Sequence, residues 1–292
     1  MAAVAPRAVA ERRARPVPLA RRIGSVLHWV LLLFVAFVAL FPIVWLVSGS
    51  LQTIQELYGS VTFFPAVPQL GNYATAWTKG GFSTYIPNSL LYSVVSLAGV
   101  LLAASMAGYA LARIQFPGRN AVMFAILALL IVPLPASFIA LYKLLVNAGL
   151  ANTRIGYILP LIASGLPVSI FILRGFFLRQ PQELEDAAIL DGCGAFGVYW
   201  RVMLPLAKPG LAAVAVIEFL RVWNEYLLAL VMFSNEKLMP VQRGLTKFMS
   251  SDTPEQHILL AATMMAVLPV VILYAVAQRS IIQGIMEGAV KG

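Results

Sequence analysis

Six stretches of this chain are apolar for about 20 residues each, the length a helix needs to cross a hydrocarbon core of ~30 Å. Lipid supplies no hydrogen bonds to a backbone, so a spanning segment must be a helix or part of a closed barrel. Runs this long and this uniformly apolar are helices. The expected spans are about 26–47, 89–111, 121–142, 155–177, 210–233 and 258–277. With 60% hydrophobic residues, 11% charged residues and a mean hydropathy of +0.85, the chain lies far from soluble domains, in which about a quarter of residues are charged. The fold class expected is an all-α integral membrane protein with six transmembrane helices.

Residues 1–25 are rich in Ala, Arg and Pro and show no apolar period, which predicts a disordered basic tail ahead of one six-span domain over 26–292. The first run is longer than the apolar part of a signal peptide and is taken as retained. The second carries Ala103, Ala104, Ser105, Ala107 and Gly108, small residues that let another helix approach closely. Pro133 and Pro135 interrupt the third run, and Pro160, Gly165 and Pro167 the fourth, so both should pack where neighbours can satisfy the freed carbonyls. An even number of spans puts both termini on one side. That side carries fourteen Lys and Arg residues against six opposite, so the positive-inside rule makes the termini cytoplasmic.

The formal charge of +9 does not indicate nucleic acid, because six of the basic residues precede the first span, where topology and anionic lipid account for them. Cys193 is the single cysteine, and with only His28 and His257 beside it no metal site is expected. The G-x-x-x-x-G-K-[ST] phosphate loop and the H-E-x-x-H pattern do not occur. The intramembrane Ser, Asp and His residues pair no nucleophile with a base, so an intramembrane enzyme is disfavoured and no catalytic residue or cofactor is assigned to the chain.

Between the fourth and fifth runs lies a polar stretch, 180–209, on the cytoplasmic side. It holds Glu183, Glu185, Asp186 and Asp191, a third of the acids in the protein. Pro181 suits a first helical turn, the acids favour the positive end of the helix dipole, and Gly192 can take the left-handed stop. These features predict a helix from Pro181 to about Leu190. The segment AFGVYWRVML predicts a second helix that ends before Pro205, because the residue ahead of a proline resists the α region. The result is a helix–turn–helix lying at the membrane face.

Span 5 carries Glu218, Arg221 and Glu225 at helical spacings of three and four, hence on one face. Ionisable groups at membrane depth require a partner or a wet cavity. Two readings stand: a self-neutralising pair between subunits, or a solute pathway. For the second, Trp223, Asn224, Glu225 and Tyr226 are the residue types that recognise sugar hydroxyls and ring faces. On a continuous helix Trp223 and Glu225 point about 200° apart, so Asn224 and Glu225 are the favoured path or gate residues.

Glu185, Asp186, Ala187 and Ala188, with Asp191-Gly192 and then Val202, Leu204 and Pro205 after nine intervening residues, resemble the EAA loop of binding-protein-dependent ABC importer permeases. Asp186 replaces the usual Glu and Val202 the usual Ile; charge and branching are retained. LPLAKPG after the motif, WNEYLLAL in span 5 and the terminal GAVKG are similar to the carbohydrate-importing branch, in the manner of the smaller permease of maltose transport. The resemblance implies a type I importer permease in the prokaryotic inner membrane, with 180–209 as the coupling helix region that receives the motion of an ATPase. It implies as partners a second homologous permease, two ATPase subunits that use ATP and Mg, an extracytoplasmic solute-binding protein and a sugar. The alternative cargo is a non-sugar such as glycerol phosphate. A secondary transporter would instead require inverted repeats and uptake without partners.

Overall fold

The computed structural model describes residues 19–59, 62–131, 134–249 and 255–289. Among them all regular structure is helical. The chain enters on α1 (Leu19–Ser50), makes two short helices, α2 (Ile54–Gly59) and α3 (Gly71–Thr78), crosses on α4 (Phe82–Arg113) and returns through α5 (Arg119–Ala128) and α6 (Leu134–Asn147). Helix α7 (Arg154–Arg179) runs back to the exit of α4, where α8 (Glu183–Leu190), α9 (Ala195–Val198) and α10 (Leu204–Leu206) form the loop. Then follow α11 (Lys208–Trp223), α12 (Leu227–Met232), α13 (Val241–Leu245) and α14 (Gln256–Ala289).

Four stretches are long and apolar enough to span alone: Leu27–Ser50, Phe82–Arg113, Arg154–Arg179 and Gln256–Gln278. The expected third span, 121–142, is instead two helices, α5 and α6, either side of a turn at Leu129–Ile131, with Pro133 outside the described residues. At 1.5 Å per residue neither reaches across a bilayer by itself. The expected fifth span, 210–233, is also divided, since α11 stops at Trp223 and α12 starts only at Leu227. The expected tail at 1–25 falls mostly outside the described residues, but the chain is already helical from Leu19.

Helices α4 and α7 run parallel and pack along their length, and Ala104, Ser105 and Gly108 are buried there. Two apolar clusters result. One lies towards the loop of α8–α10 and holds Val100, Ala104, Tyr109, Leu173, Phe177, Val198, Tyr199, Met203 and Val214. The other lies at the opposite end, where Tyr92, Tyr157 and Phe233 bring their rings within 4.9–5.9 Å of one another.

At that opposite end, residues 234–241 are bound to α4 through their backbone. Asn88 donates to Lys237 O and Met239 O at 2.9 and 3.1 Å, Tyr92 donates to Leu238 O at 2.7 Å, and Ser89 accepts from Val241 N at 2.7 Å. Asn152, in the left-handed region at φ 55°, accepts from Ser234 N and Asn235 N. The first two residues of the loop are thereby capped by a side chain from the α6–α7 turn.

Candidate functional site

The 180–209 loop is helical nearly as its sequence predicts. Helix α8 starts at Glu183 rather than Pro181, and its first turn carries Glu183, Glu185 and Asp186. It stops at a Schellman-type turn: Gly192 has φ +82°, Cys193 N donates to Ala188 O, and Asp191 N donates to Ala187 O. The second helical stretch does not end before Pro205. It runs as α9, a π turn over Tyr199–Met203, and α10 through Leu206. The wider π turn ahead of Pro205 relieves the clash of the ring with the preceding carbonyls, which lets the helix pass through the proline. A 73° bend then separates Ala195–Leu206 from α11, so this stretch lies across the end of the bundle.

Within the loop, residues divide by what they touch. Ala188, Val198, Tyr199 and Met203 are buried, and Val202 and Leu204 pack against them. Tyr199 shares a hydrogen bond with Ser105 of α4 at 2.8 Å. Ala187, Asp186, Asp191, Gly192 and Pro205 are exposed. So are Leu184, Ile189, Leu190, Phe196 and Trp200, with Leu190 88% and Phe196 68% accessible. The Phe196 and Trp200 rings stack at 6.1 Å.

The root of the loop is held by arginines, a feature the sequence reading missed. Arg113, the last residue of α4, donates from Nε to Phe177 O at 3.1 Å and from Nη2 to Phe177 O at 2.6 Å and to Gln180 O. Its Nε also lies 3.5 Å from Glu185 Oε1. In the reverse direction Arg174 of α7 donates to Leu111 O at 3.1 Å. Each of two parallel helices thus has its negative C-terminal end capped by a guanidinium from the other. Burial holds the Glu185 carboxyl above its ordinary pKa; Arg113 opposes this and Asp186 adds to it. A basic residue in the last turn of α4 was the available signal, but its partners lie more than sixty positions away.

In the fifth span the charges separate. Glu218 is 1% exposed and pairs with Arg221, whose Nη2 and Nε lie 2.7 and 2.8 Å from its Oε2. Ser169 donates to Glu218 at 3.3 Å, while Arg221 also donates to Ser164 Oγ at 2.9 Å and Leu161 O at 2.6 Å. These contacts join α11 to α7 within one chain. Gly165 makes them possible, since a Cβ there would meet Glu218 Oε2 at 2.4 Å. Glu225 lies beyond the end of α11 and caps α12, accepting from Leu228 N at 2.7 Å, and it lines one small cavity together with Arg221. Asn224 is exposed, donating to Leu220 O and accepting from Gln242. Trp223, expected as an aromatic platform, is instead 1% exposed, stacked on Phe219 with its indole N–H on Ala266 O. It has no ring face to offer a solute. Tyr226 is half-buried.

Beside this break a cleft of about 510 Å³ runs between the divided third span and α7, lined by Leu130, Leu141, Leu144, Pro160, Ser164 and Pro167. A smaller cavity of about 40 Å³ adjoins Ser164, Arg221 and Glu225. No cluster of three or more His, Cys, Asp or Glu side chains suited to a metal occurs among the described residues.

A multi-span helical bundle with divided third and fifth spans and an exposed helix–turn–helix laid across one end is a membrane transport subunit. The chain belongs to the family described as binding-protein-dependent transport system inner membrane component, whose model matches residues 99–287. It is 34% identical over 270 residues to the diacetylchitobiose uptake system permease protein NgcG of Streptomyces coelicolor, covering 92% of this chain and 89% of that protein. It is 35% identical over 279 residues to the arabinooligosaccharides transport system permease protein AraQ of Halalkalibacterium halodurans, covering 93% and 99%. Among solved structures, a bacterial ABC transporter that imports the acidic polysaccharide alginate matches with a TM-score of 0.79 and 25% identity, covering 91% of this chain and 99% of that one. These relatives are transport subunits, not enzymes.

Proposed function

We propose that the chain is a permease subunit of a sugar importer, with both termini in the cytoplasm. It forms half of a translocation path with a second, homologous permease, and takes its cargo from an extracytoplasmic binding protein. Two copies of a separate ATPase supply ATP hydrolysis and its Mg; this chain binds neither. The sugar assignment rests on the relatives, which are permeases for diacetylchitobiose, arabinooligosaccharides and lactose. Asn224, Glu225 and Tyr226, at the break between α11 and α12, are proposed to line or gate the path beside the α7 cleft. Glu218 and Arg221 stiffen its wall.

The observation that carries the reading is the loop itself. Residues 183–206 are bound at both roots, yet Leu184, Ile189, Leu190, Phe196 and Trp200 are left to solvent, a cluster of large apolar side chains that soluble exposure disfavours. A cleft in the ATPase would cover them. Asp186, Ala187 and Gly192 are exposed beside them and are proposed as contacts, with Ala188, Val202, Leu204 and Pro205 shaping the support. The test is ATP-driven uptake in proteoliposomes by a complex carrying Gly192→Trp. Nothing lies within 4 Å of a Cβ at Gly192, which is exposed; the φ of +82° adds backbone strain, so insertion and assembly are measured beside uptake. Uptake is expected to fall about tenfold or more, equivalent to about 1.4 kcal/mol of lost coupling, with the subunit still inserted. Unchanged uptake by the assembled variant would sink the reading.

A further inference from the structure

The loop is joined by peptide bonds to α7 and α11 only. The chain between Arg179 and Glu183 leads into it and Ala207 leads out. Helix α4 has no covalent connection to it, yet α4 and α7 form the most extensive helix pair in the bundle. The loop meets α4 further on, where Tyr199 shares a hydrogen bond with Ser105. A push on α8 itself therefore reaches α4 through apolar packing and the later part of the loop, unless a polar contact ties α8 to it.

Arg113 is placed to do this. Its guanidinium binds the last carbonyls of α7 and stands 3.5 Å from the Glu185 carboxylate in the first turn of α8. The side chains are only 11% and 13% exposed, so solvent screens the pair weakly. Glu185 Oε1 accepts no hydrogen bond among the described residues, so the arginine holds it by charge alone. Burial raises the Glu185 pKa by more than Arg113 lowers it, so the charged pair adds little to the stability of the fold.

We propose that Arg113 is a positioning residue that ties the loop helix α8 to α4, delivering displacement of α8 to the Phe82–Arg113 helix directly. The proposal rests on the coupling role given to the loop above. It assigns a second route for force, into a helix that the loop motif does not include. Glu185 is the movable end of the tie and the α7 carbonyls are the fixed end. Removing the Glu185 charge frees α8 from α4 while leaving the caps on Phe177 and Gln180 intact.

The test measures sugar taken up per ATP hydrolysed by the whole complex in proteoliposomes, with lactose, raffinose, arabinotriose and diacetylchitobiose offered as probes. Glu185→Gln is expected to lower this ratio about fivefold or more, at the lower end of coupling between sites, with the assembled complex recovered in normal yield. Arg113→Lys, which keeps a cation beside Glu185, should stay within about twofold of the unmodified complex. Arg113→Gln combined with Glu185→Gln should lose no more than the worse single variant, because both break one link. An unchanged ratio in Glu185→Gln, or losses that multiply in the double variant, would overturn the tie and leave the permease reading standing. An unmodified complex that accumulates none of the four probes would overturn the sugar reading and this proposal with it.

Discussion

The two loops that flank the fifth span are built on opposite plans. The one after it, 234–249, is sewn to the bundle by neutral side chains: Asn88, Ser89 and Tyr92 bind its backbone directly, and Met239, Val241 and Phe248 sit in the core. The one before it, 180–209, is fastened at its roots by Arg113 and by Tyr199, and turns Leu190, Phe196 and Trp200 outwards. Backbone hydrogen bonds to buried amides fix a segment in one place, whereas a charge pair at a root fixes a pivot. The first loop is part of the wall, and the second is a handle.

The sharpest way to break this contrast is to add a side chain to each loop. At Gly244 a Cβ would lie 2.2 Å from Cδ2 of Tyr85, a ring that is 2% exposed and packed against Phe82. Gly244→Val should cost about 3 kcal/mol, the upper range for overpacking a filled core. It should show as a clear fall in the thermal midpoint of the solubilised complex. A midpoint unchanged by this substitution would mean that the 234–249 loop is not packed as a wall.

Much of the architecture was legible from hydropathy because lipid demands long apolar runs, and α1, α4, α7 and α14 satisfy that demand without interruption. The division of the fifth span was not. Nothing in Trp223-Asn224-Glu225-Tyr226 is a proline or glycine. The helix ends where Glu225 takes the Leu228 amide that would continue it, while Asn224 Nδ2 adds a second donor to Leu220 O beside its own backbone N–H. Hydropathy does not register such competition, nor that Trp223 would be buried against Phe219 and Ala266 rather than offered as a platform. In the loop, Gly192 and the acids of α8 were readable because they act on adjacent residues. Arg113 was not, because its role depends on two helix ends that meet only in the folded bundle.

The matching change in the other loop is Gly192→Ala. The φ of +82° strains any L side chain, and nothing lies within 4 Å of the added Cβ. The expected loss is about 1 kcal/mol from backbone strain alone, with the midpoint falling about a third as far as for Gly244→Val. A loss equal to that of Gly244→Val would show the turn to be packed like the wall, and the contrast between the loops would fail.

The smallest effect tests whether the pivot at Glu185 supports the fold at all. Its carboxyl pKa is raised, first by burial, with Asp186 adding and Arg113 opposing. A raised carboxyl pKa means that the folded chain favours the protonated form. Its contribution to stability is therefore full below the unfolded carboxyl value of about 4.3 and is lost as pH rises through the higher folded value. At neutral pH the charge is a small burden rather than a support. Glu185→Gln, which resembles the protonated form, should match the unmodified chain near pH 4. Above pH 6 it should be equal or slightly more stable, by under about 1 kcal/mol, in thermal midpoints recorded across that range. A variant less stable than the parent at pH 7 but not at pH 4 would make Arg113–Glu185 an ordinary stabilising salt bridge. The predicted pattern leaves transfer of motion as the pair's contribution, since the substitution that lowers uptake per ATP would leave the fold intact.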